Sequence, residues 1–194
     1  DGSVYDGQWK ADERHGTGTE HYRRQRAYPS NPNTIQARFP EEFYEGEWKE
    51  NEKHGQGREF DSNGYYEGGF KRDQRHGKGI MWYVDGEIYS GQWKDGLRRG
   101  HATQWDEDGD CCVTRFEDDA ESGEGVIWSA DREVVERCID GEAQELISTD
   151  TAFKLARRLG EPGEVPQQPQ LPTRPPPPRS PNVHTETPPL QDVS

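Results

Sequence analysis

Along the first 130 or so residues, apolar and polar positions alternate in short runs, and most of the non-polar positions are aromatic or glycine. Tyr44-Glu-Gly46-Glu-Trp48 shows the pattern. In a β-strand, residues i, i+2 and i+4 share a face. Tyr44, Gly46 and Trp48 are therefore expected on one side, with Glu45, Glu47 and Lys49 turned to water. A glycine between two aromatics leaves a notch that a ring can fill. The same spacing recurs as Tyr5-Asp-Gly7-Gln-Trp9, Tyr66-Glu-Gly68-Gly-Phe70 and Tyr89-Ser-Gly91-Gln-Trp93. Each copy is followed by His15-Gly-Thr-Gly18, His54-Gly-Gln-Gly57, His76-Gly-Lys-Gly79 or the weaker Arg99-Gly-His-Ala102. The pattern predicts one hairpin per copy. A single hairpin cannot bury its own aromatic face, so the copies are expected to stack.

From the second copy the period is 22 and then 23 residues, whereas the first two copies stand 39 apart, which implies an insertion of about 16 residues. A degenerate fifth copy runs from Cys112-Val-Thr114-Arg-Phe116 to Ser122-Gly-Glu-Gly125, and a sixth fades through Val135 to Ile139. Asn63-Gly64, Asp85-Gly86 and Asp108-Gly109 are expected to supply tight hairpin turns. Phe60 and Trp105 fall out of phase with the return-strand positions Met81 and Tyr83. The pattern resembles the MORN repeat. That resemblance implies an all-β fold, an open, solenoid-like ribbon of antiparallel hairpins. It also implies a non-enzymatic protein-interaction scaffold at a cytoskeletal or membrane-associated structure. Two alternatives follow from it as well: peripheral binding of anionic phospholipid, and a targeting module cut from a larger enzyme. The Asp1-Gly2 start, which reads as a turn closing an earlier repeat, favours the last.

Composition changes the picture only at the C-terminal end. The chain carries a formal charge of −14 and is poor in aliphatic residues, a combination that by itself suggests disorder. The periodic aromatics argue otherwise for the repeats. From Glu161 onward, however, the chain holds eleven of its fourteen prolines. The expected organisation is a ribbon over residues 1–141 with an insertion loop at about 23–40, a C-terminal capping-helix region over 142–160, and a disordered Pro-rich tail over 161–194. Three cysteines, two of them adjacent, suit neither a disulfide framework nor a Cys-x-x-Cys zinc site. A cytoplasmic setting is expected. The acidic balance argues against nucleic acid as a partner.

Candidate chemistry is sparse. His15, His54 and His76 recur one repeat apart, about 10 Å by strand spacing, too far to share a metal whose ligands lie ~2 Å from it. Each imidazole is expected to hold its own hairpin loop. The stretch from Asp106 to Glu117 mimics a calcium loop but has Cys111 where that loop needs glycine, so it reads as an acidic turn. No phosphate-cradling loop, nucleophile elbow or kinase signature is present, and neither catalysis nor a cofactor is expected.

The partner-binding face is expected to centre on Tyr44, Trp48, Tyr66, Phe70, Tyr89 and Trp93, receiving an extended or helical protein segment. Basic residues recur as Lys10 and Arg14, Lys49 and Lys53, Lys71 and Arg75, Lys94 and Arg98. They form either a self-paired edge or, through Lys71, Arg72 and Arg75, a contact for anionic lipid. The insertion carries Arg23, Arg24, Arg26 and Arg38 with Tyr28, Ile35 and Phe39, and is read either as a loose loop or as a partner contact. The edges of an open ribbon also permit a homodimer.

After Gly141 the pattern turns helical. Ser148 or Thr149 can cap, Ala152, Phe153, Ala156 and Leu159 make an apolar face, Arg157 and Arg158 suit the last turn, and Gly160 and Pro162 end it. This helix is expected to cover the last edge of the sheet. Pro166, Pro169, Pro172, Pro175, Pro178 and Pro181 recur every third residue, along one edge of a polyproline helix. Pro169-Gln-Leu-Pro172-Thr-Arg174 has the form read by proline-recognising adaptor domains, although a spacer tail is the plainer reading of so short a proline motif.

Overall fold

The structure, a computed structural model, describes residues 2–22, 35–39, 41–160 and 166–172. Twelve strands form a single antiparallel sheet in which each strand lies beside its sequence neighbours. They are β1 (Val4–Lys10), β2 (Glu13–Tyr22), β3 (Glu42–Lys49), β4 (Glu52–Phe60), β5 (Gly64–Lys71), β6 (Gln74–Tyr83), β7 (Ile88–Lys94), β8 (Leu97–Trp105), β9 (Cys111–Glu117), β10 (Ala120–Trp128), β11 (Val135–Ile139) and β12 (Glu142–Leu146). Two helices are described, α1 (Ile35–Arg38) and α2 (Thr149–Arg158).

Every hairpin turns on two residues with positive φ: Ala11-Asp12, Glu50-Asn51, Arg72-Asp73, Asp95-Gly96, Asp118-Asp119 and Asp140-Gly141. Two successive left-handed residues match the twist of the flanking strands. The cost of that conformation in non-glycine residues is offset by bonds to the preceding repeat. The carboxamide of Asn51 and the carboxylates of Asp73 and Asp119 accept from the N–H of Arg14, Lys53 and Arg98, each at 2.8 Å. The turn residues' own N–H groups donate back to the carbonyls of the same three residues. The Asn-Gly and Asp-Gly pairs expected to make these turns lie instead in the looser connections between repeats. There the carboxylates of Asp61 and Asp106 accept from backbone N–H groups.

The glycine notch is filled by the tyrosine of its own repeat. A Cβ on Gly57 would lie 2.6 Å from the Tyr44 hydroxyl, and one on Gly79 would lie 2.3 Å from that of Tyr66. The outgoing strands are bulged just after the partner glycines Gly7, Gly46, Gly68 and Gly91. The hydroxyls of Tyr5, Tyr44, Tyr66 and Tyr89 donate to the carbonyls of Gln8, Glu47, Gly69 and Gln92 at 2.8–3.0 Å. Return strands carry a matching kink, as at Gly55 with φ +57, where the αL conformation favours glycine.

Both faces of the sheet are packed. One carries the tyrosine row. The other carries Phe60, Trp82, Trp105 and Trp128, at one position per repeat, with Phe43, Tyr65, Ile88, Val113 and Val126. Phe60 and Trp105 are thus not a lapse in the repeat; they are its second row.

The sixth hairpin is complete, so the sheet runs to Leu146 and the expected boundary at 141 falls inside a turn. Ser148 caps α2 through its hydroxyl, and Ala152, Leu155 and Ala156 are buried while Phe153 and Leu159 are partly buried against the sheet. The helix packs on β10 and β11. It covers a face and leaves the last edge strand, β12, exposed along its length. The charges of Glu142 and Glu145 guard that edge instead, since a charged edge discourages further pairing. Residues 166–172, expected to be part of a disordered tail, lie against the sheet, where Leu171 packs into the second cluster.

Candidate interaction surface

The six aromatics expected to meet a partner are not at the surface. Tyr44, Trp48, Tyr66, Phe70, Tyr89 and Trp93 are each 4 % exposed or less, because they bury one another. At the first four junctions the second aromatic of one repeat stands edge-on to the tyrosine of the preceding repeat. The pairs are Trp48 on Tyr5 at 5.3 Å, Phe70 on Tyr44 at 4.9 Å, Trp93 on Tyr66 at 5.4 Å and Phe116 on Tyr89 at 5.2 Å. Edge-to-face pairs contribute about 0.5–1.5 kcal/mol each beyond burial. Indole N–H groups add bonds across the junction, from Trp48 to the Gly18 carbonyl at 3.1 Å and from Trp93 to that of Gly79 at 3.4 Å. This row couples the repeats to one another.

Half of the basic ladder closes over it. Arg14 lies 4.2 Å from the Trp48 ring, Lys53 5.1 Å from Tyr44, Arg75 5.0 Å from Tyr66 and Arg98 4.7 Å from Phe116. Each also pairs with a carboxylate: Arg14 with Glu20, Lys53 with Glu59, Arg75 with Glu59 and Asp61, and Arg98 with Asp119. Arg75 is therefore committed to the fold and is not a free lipid contact. Lys71 and Arg72 are exposed at the turn rim, next to the exposed Asp73. His76 lies 3.7 Å from Asp95 in the next repeat's turn, not in its own loop. The acidic stretch spends its carboxylates on backbone: Asp106 accepts from three N–H groups and Asp110 from that of Ala130. Among the described residues no three metal-ligating side chains converge, and no helix is long and apolar enough to cross a membrane.

Of the insertion, Arg23, Arg24, Arg26 and Tyr28 lie outside the described residues, and Arg38 ends α1 with its side chain undescribed. Ile35 and Phe39 are not free for a partner. Phe39 stacks on Tyr65 at 4.8 Å and packs on Phe60 at 5.1 Å. Arg174 of the proline motif also lies outside the described residues, whereas Pro169 and Pro172 are on the sheet.

What remains open is a trough on the second face, above the glycine pairs. Its first half, about 650 Å³, has Gly18, Gly46 and Gly57 in its floor. Asp6, Glu45, Glu47 and Glu67 stand in its walls, and the one guanidinium, that of Arg58, is held by Glu45 at 2.7 Å. The second half, about 680 Å³, continues over Gly68, Gly79 and Gly91 to Trp82, Leu159 and Pro169. Gln56 and Glu67 border both halves, so the trough runs across four repeats. Sequence reasoning sent Glu45 and Glu47 to water, which is their side of the sheet, but it missed that this side forms a channel. The signal was the out-of-phase aromatic row, whose coverings raise the channel's far wall.

A ribbon of stacked hairpins in one antiparallel sheet defines an all-β repeat protein. A comparison with known families matches the MORN repeat at residues 5–24, 44–64, 66–88 and 89–111, and the chain belongs to the MORN-repeat family. Repeats of this family bind proteins and membranes and are in general not catalytic. A search of curated proteins found no match.

Proposed function

We propose that this chain is a non-catalytic protein scaffold in the cytoplasm, at a cytoskeletal or membrane-associated structure, and that its contact surface is the acid-walled trough. The observation that carries this reading is the chemistry of the first half: four carboxylates and one already paired guanidinium around a glycine floor. Such a channel carries a surplus of negative charge, which suits an extended segment bearing Lys or Arg and gives it a favourable encounter. The glycine floor lets the partner's backbone approach the sheet closely. Aromatic anchors, the usual centre of a contact surface, are absent among the described residues that line this first half.

The test is selection of peptides from a random display library on the full chain at physiological salt. Enrichment of Lys- and Arg-bearing sequences that fail to bind a Glu45→Lys/Glu47→Lys/Glu67→Lys variant supports the reading. Equal binding to the variant overturns it. Co-sedimentation of the wild type with phosphoinositide-bearing vesicles, lost on Lys71→Ala/Arg72→Ala, would move the function to lipid.

A further inference from the structure

The second face is covered in three places, by three different segments. Phe39 after α1 covers Tyr65 and Phe60, and α2 covers β10 and β11. Between them, at Trp82, the cover is the stretch 166–172. The Trp82 indole N–H donates to the Pro169 carbonyl at 3.3 Å across 87 positions of sequence. Pro166, Pro169 and Pro172 are partly buried, as is Leu171, while Gln167, Gln168 and Gln170 are exposed. Every third residue therefore faces the sheet, the edge that a polyproline helix presents. Aromatic-lined grooves read proline-rich ligands through one proline-bearing edge, and a Trp N–H ordinarily finds a polar partner when buried. All three features meet here inside one chain.

We propose that Trp82 and Ile80, with the backbone floor at Gly79 and Gly91, form a binding site for Pro-x-Leu-Pro segments, and that the chain's own Pro169-Gln-Leu-Pro172 fills it in cis. Filling it hides that motif from a proline-recognising adaptor domain, so the tail is either bound to the ribbon or offered to a partner. Only five residues separate Gly160 from Pro166 along the sequence, so the segment competes at an effective concentration on the order of millimolar. The site lies beyond Glu67, away from the acidic half of the trough, and stands whether or not that half binds a partner.

The test uses the full chain and a fluorescein-labelled synthetic peptide of residues 164–174, followed by anisotropy. Pro169→Ala/Leu171→Ser weakens the chain's own segment without touching the sheet. This variant is expected to bind the probe at least about tenfold more tightly than the wild type, in line with the cis effective concentration. Adding Trp82→Phe, which keeps a ring and removes the N–H donor, is expected to reduce that affinity at least about threefold, the scale of one neutral hydrogen bond. In the ¹H–¹⁵N spectrum of the six indoles, one resonance should move on Pro169→Ala/Leu171→Ser and vanish with Trp82→Phe. The remaining five report that the variants fold. Probe affinity that does not rise when the chain's own segment is weakened, or that ignores Trp82→Phe, overturns the proposal.

Discussion

A tight local constraint that recurs along the ribbon is the contact between each tyrosine ring and its glycine pair, and it predicts that the two glycines of one repeat differ in sensitivity. In the third copy a Cβ on Gly68 would lie 2.5 Å from the Gly79 Cα, 2.6 Å from the Lys78 carbonyl and 2.6 Å from the Tyr66 hydroxyl. Two of those three atoms are backbone of the neighbouring strand. Ordinary contact needs 3.4 Å or more, so β5 and β6 must part by about 1 Å at a bulge. Overpacking costs of 1–3 kcal/mol and a lost hydrogen bond of about 1 kcal/mol put Gly68→Ala at roughly 3 kcal/mol. The three atoms nearest a Cβ on Gly79 all belong to the Tyr66 side chain, at 2.3–2.6 Å. The ring can swing away, losing its bond to the Gly69 carbonyl and part of its edge contacts with Phe70 and Trp93. Alanine recovers about 0.5 kcal/mol over glycine in a strand, leaving roughly 2 kcal/mol. The fourth copy already carries Ala102 at the return position, with the Tyr89 hydroxyl still bonded to the Gln92 carbonyl at 2.8 Å. The outgoing position is glycine wherever the tyrosine is present and becomes Thr114 where Cys112 replaces it. Urea unfolding followed by tryptophan fluorescence, with amide exchange at β5 and β6, measures both costs. Gly79→Ala in a Tyr66→Leu background should cost less than 1 kcal/mol, because neighbouring sites couple. Equal or reversed costs for the two glycines, or a cost at Gly79 that survives loss of the ring, would refute the reasoning.

Three further outcomes follow from the same geometry. At the junction of the fifth and sixth copies the aromatic pair is replaced by Cys112 and Cys138, whose sulfurs lie 3.6 Å apart; Cys112→Tyr/Thr114→Gly/Cys138→Phe should restore it and gain about 1 kcal/mol, read as slower amide exchange in β11 and β12. Gly96 has no side chain to accept from the Arg75 N–H as Asn51, Asp73 and Asp119 do for their neighbours, so Gly96→Asn should raise the urea midpoint by the equivalent of 0.5–1 kcal/mol; a fall in the midpoint contradicts this. Burial raises Tyr44, Tyr66 and Tyr89 well above the usual phenol range and pushes Tyr65 up to about 12. A folded value above the unfolded one means this stability is whole below pH 10 and lost as pH rises through the folded values. Tyrosinate absorbance should therefore appear together with unfolding above pH 10, whereas a simple titration centred on 10 in a folded protein would contradict it.

Much of the architecture was legible because the repeat is written in residues with one strong reason to be there. Tyr-x-Gly and the later Gly-x-Gly gave strand phase, hairpin count and stacking. The turns were misplaced because the two left-handed residues are mostly Ala, Glu, Arg, Asn and Asp, held by a side-chain bond to the preceding hairpin that no local rule reveals. The exposure expected of the aromatic row failed for a related reason. An aromatic row on a strand reads as an exposed face until it is seen that each ring packs on the repeat before it and is closed by Arg14, Lys53, Arg75 or Arg98. Leu155, the most buried large side chain of α2, escaped the expected apolar face, which chose its partly buried neighbours Phe153 and Leu159. The coverings of the second face come from distant segments, Phe39 and Pro166–Pro172, and long-range packing of this kind leaves no periodic trace.

In the proposed function the working surface is the trough and not the aromatic row or the basic rim. A photo-crosslinking amino acid placed at Gln56, which borders both halves of the trough, and separately at Lys71 on the turn rim, tests it in cells. The predicted result is a discrete protein adduct from Gln56 that disappears with Glu45→Lys/Glu47→Lys, and none from Lys71. Adducts that form from Lys71 with lipid, or from Gln56 regardless of the charge reversal, would contradict it.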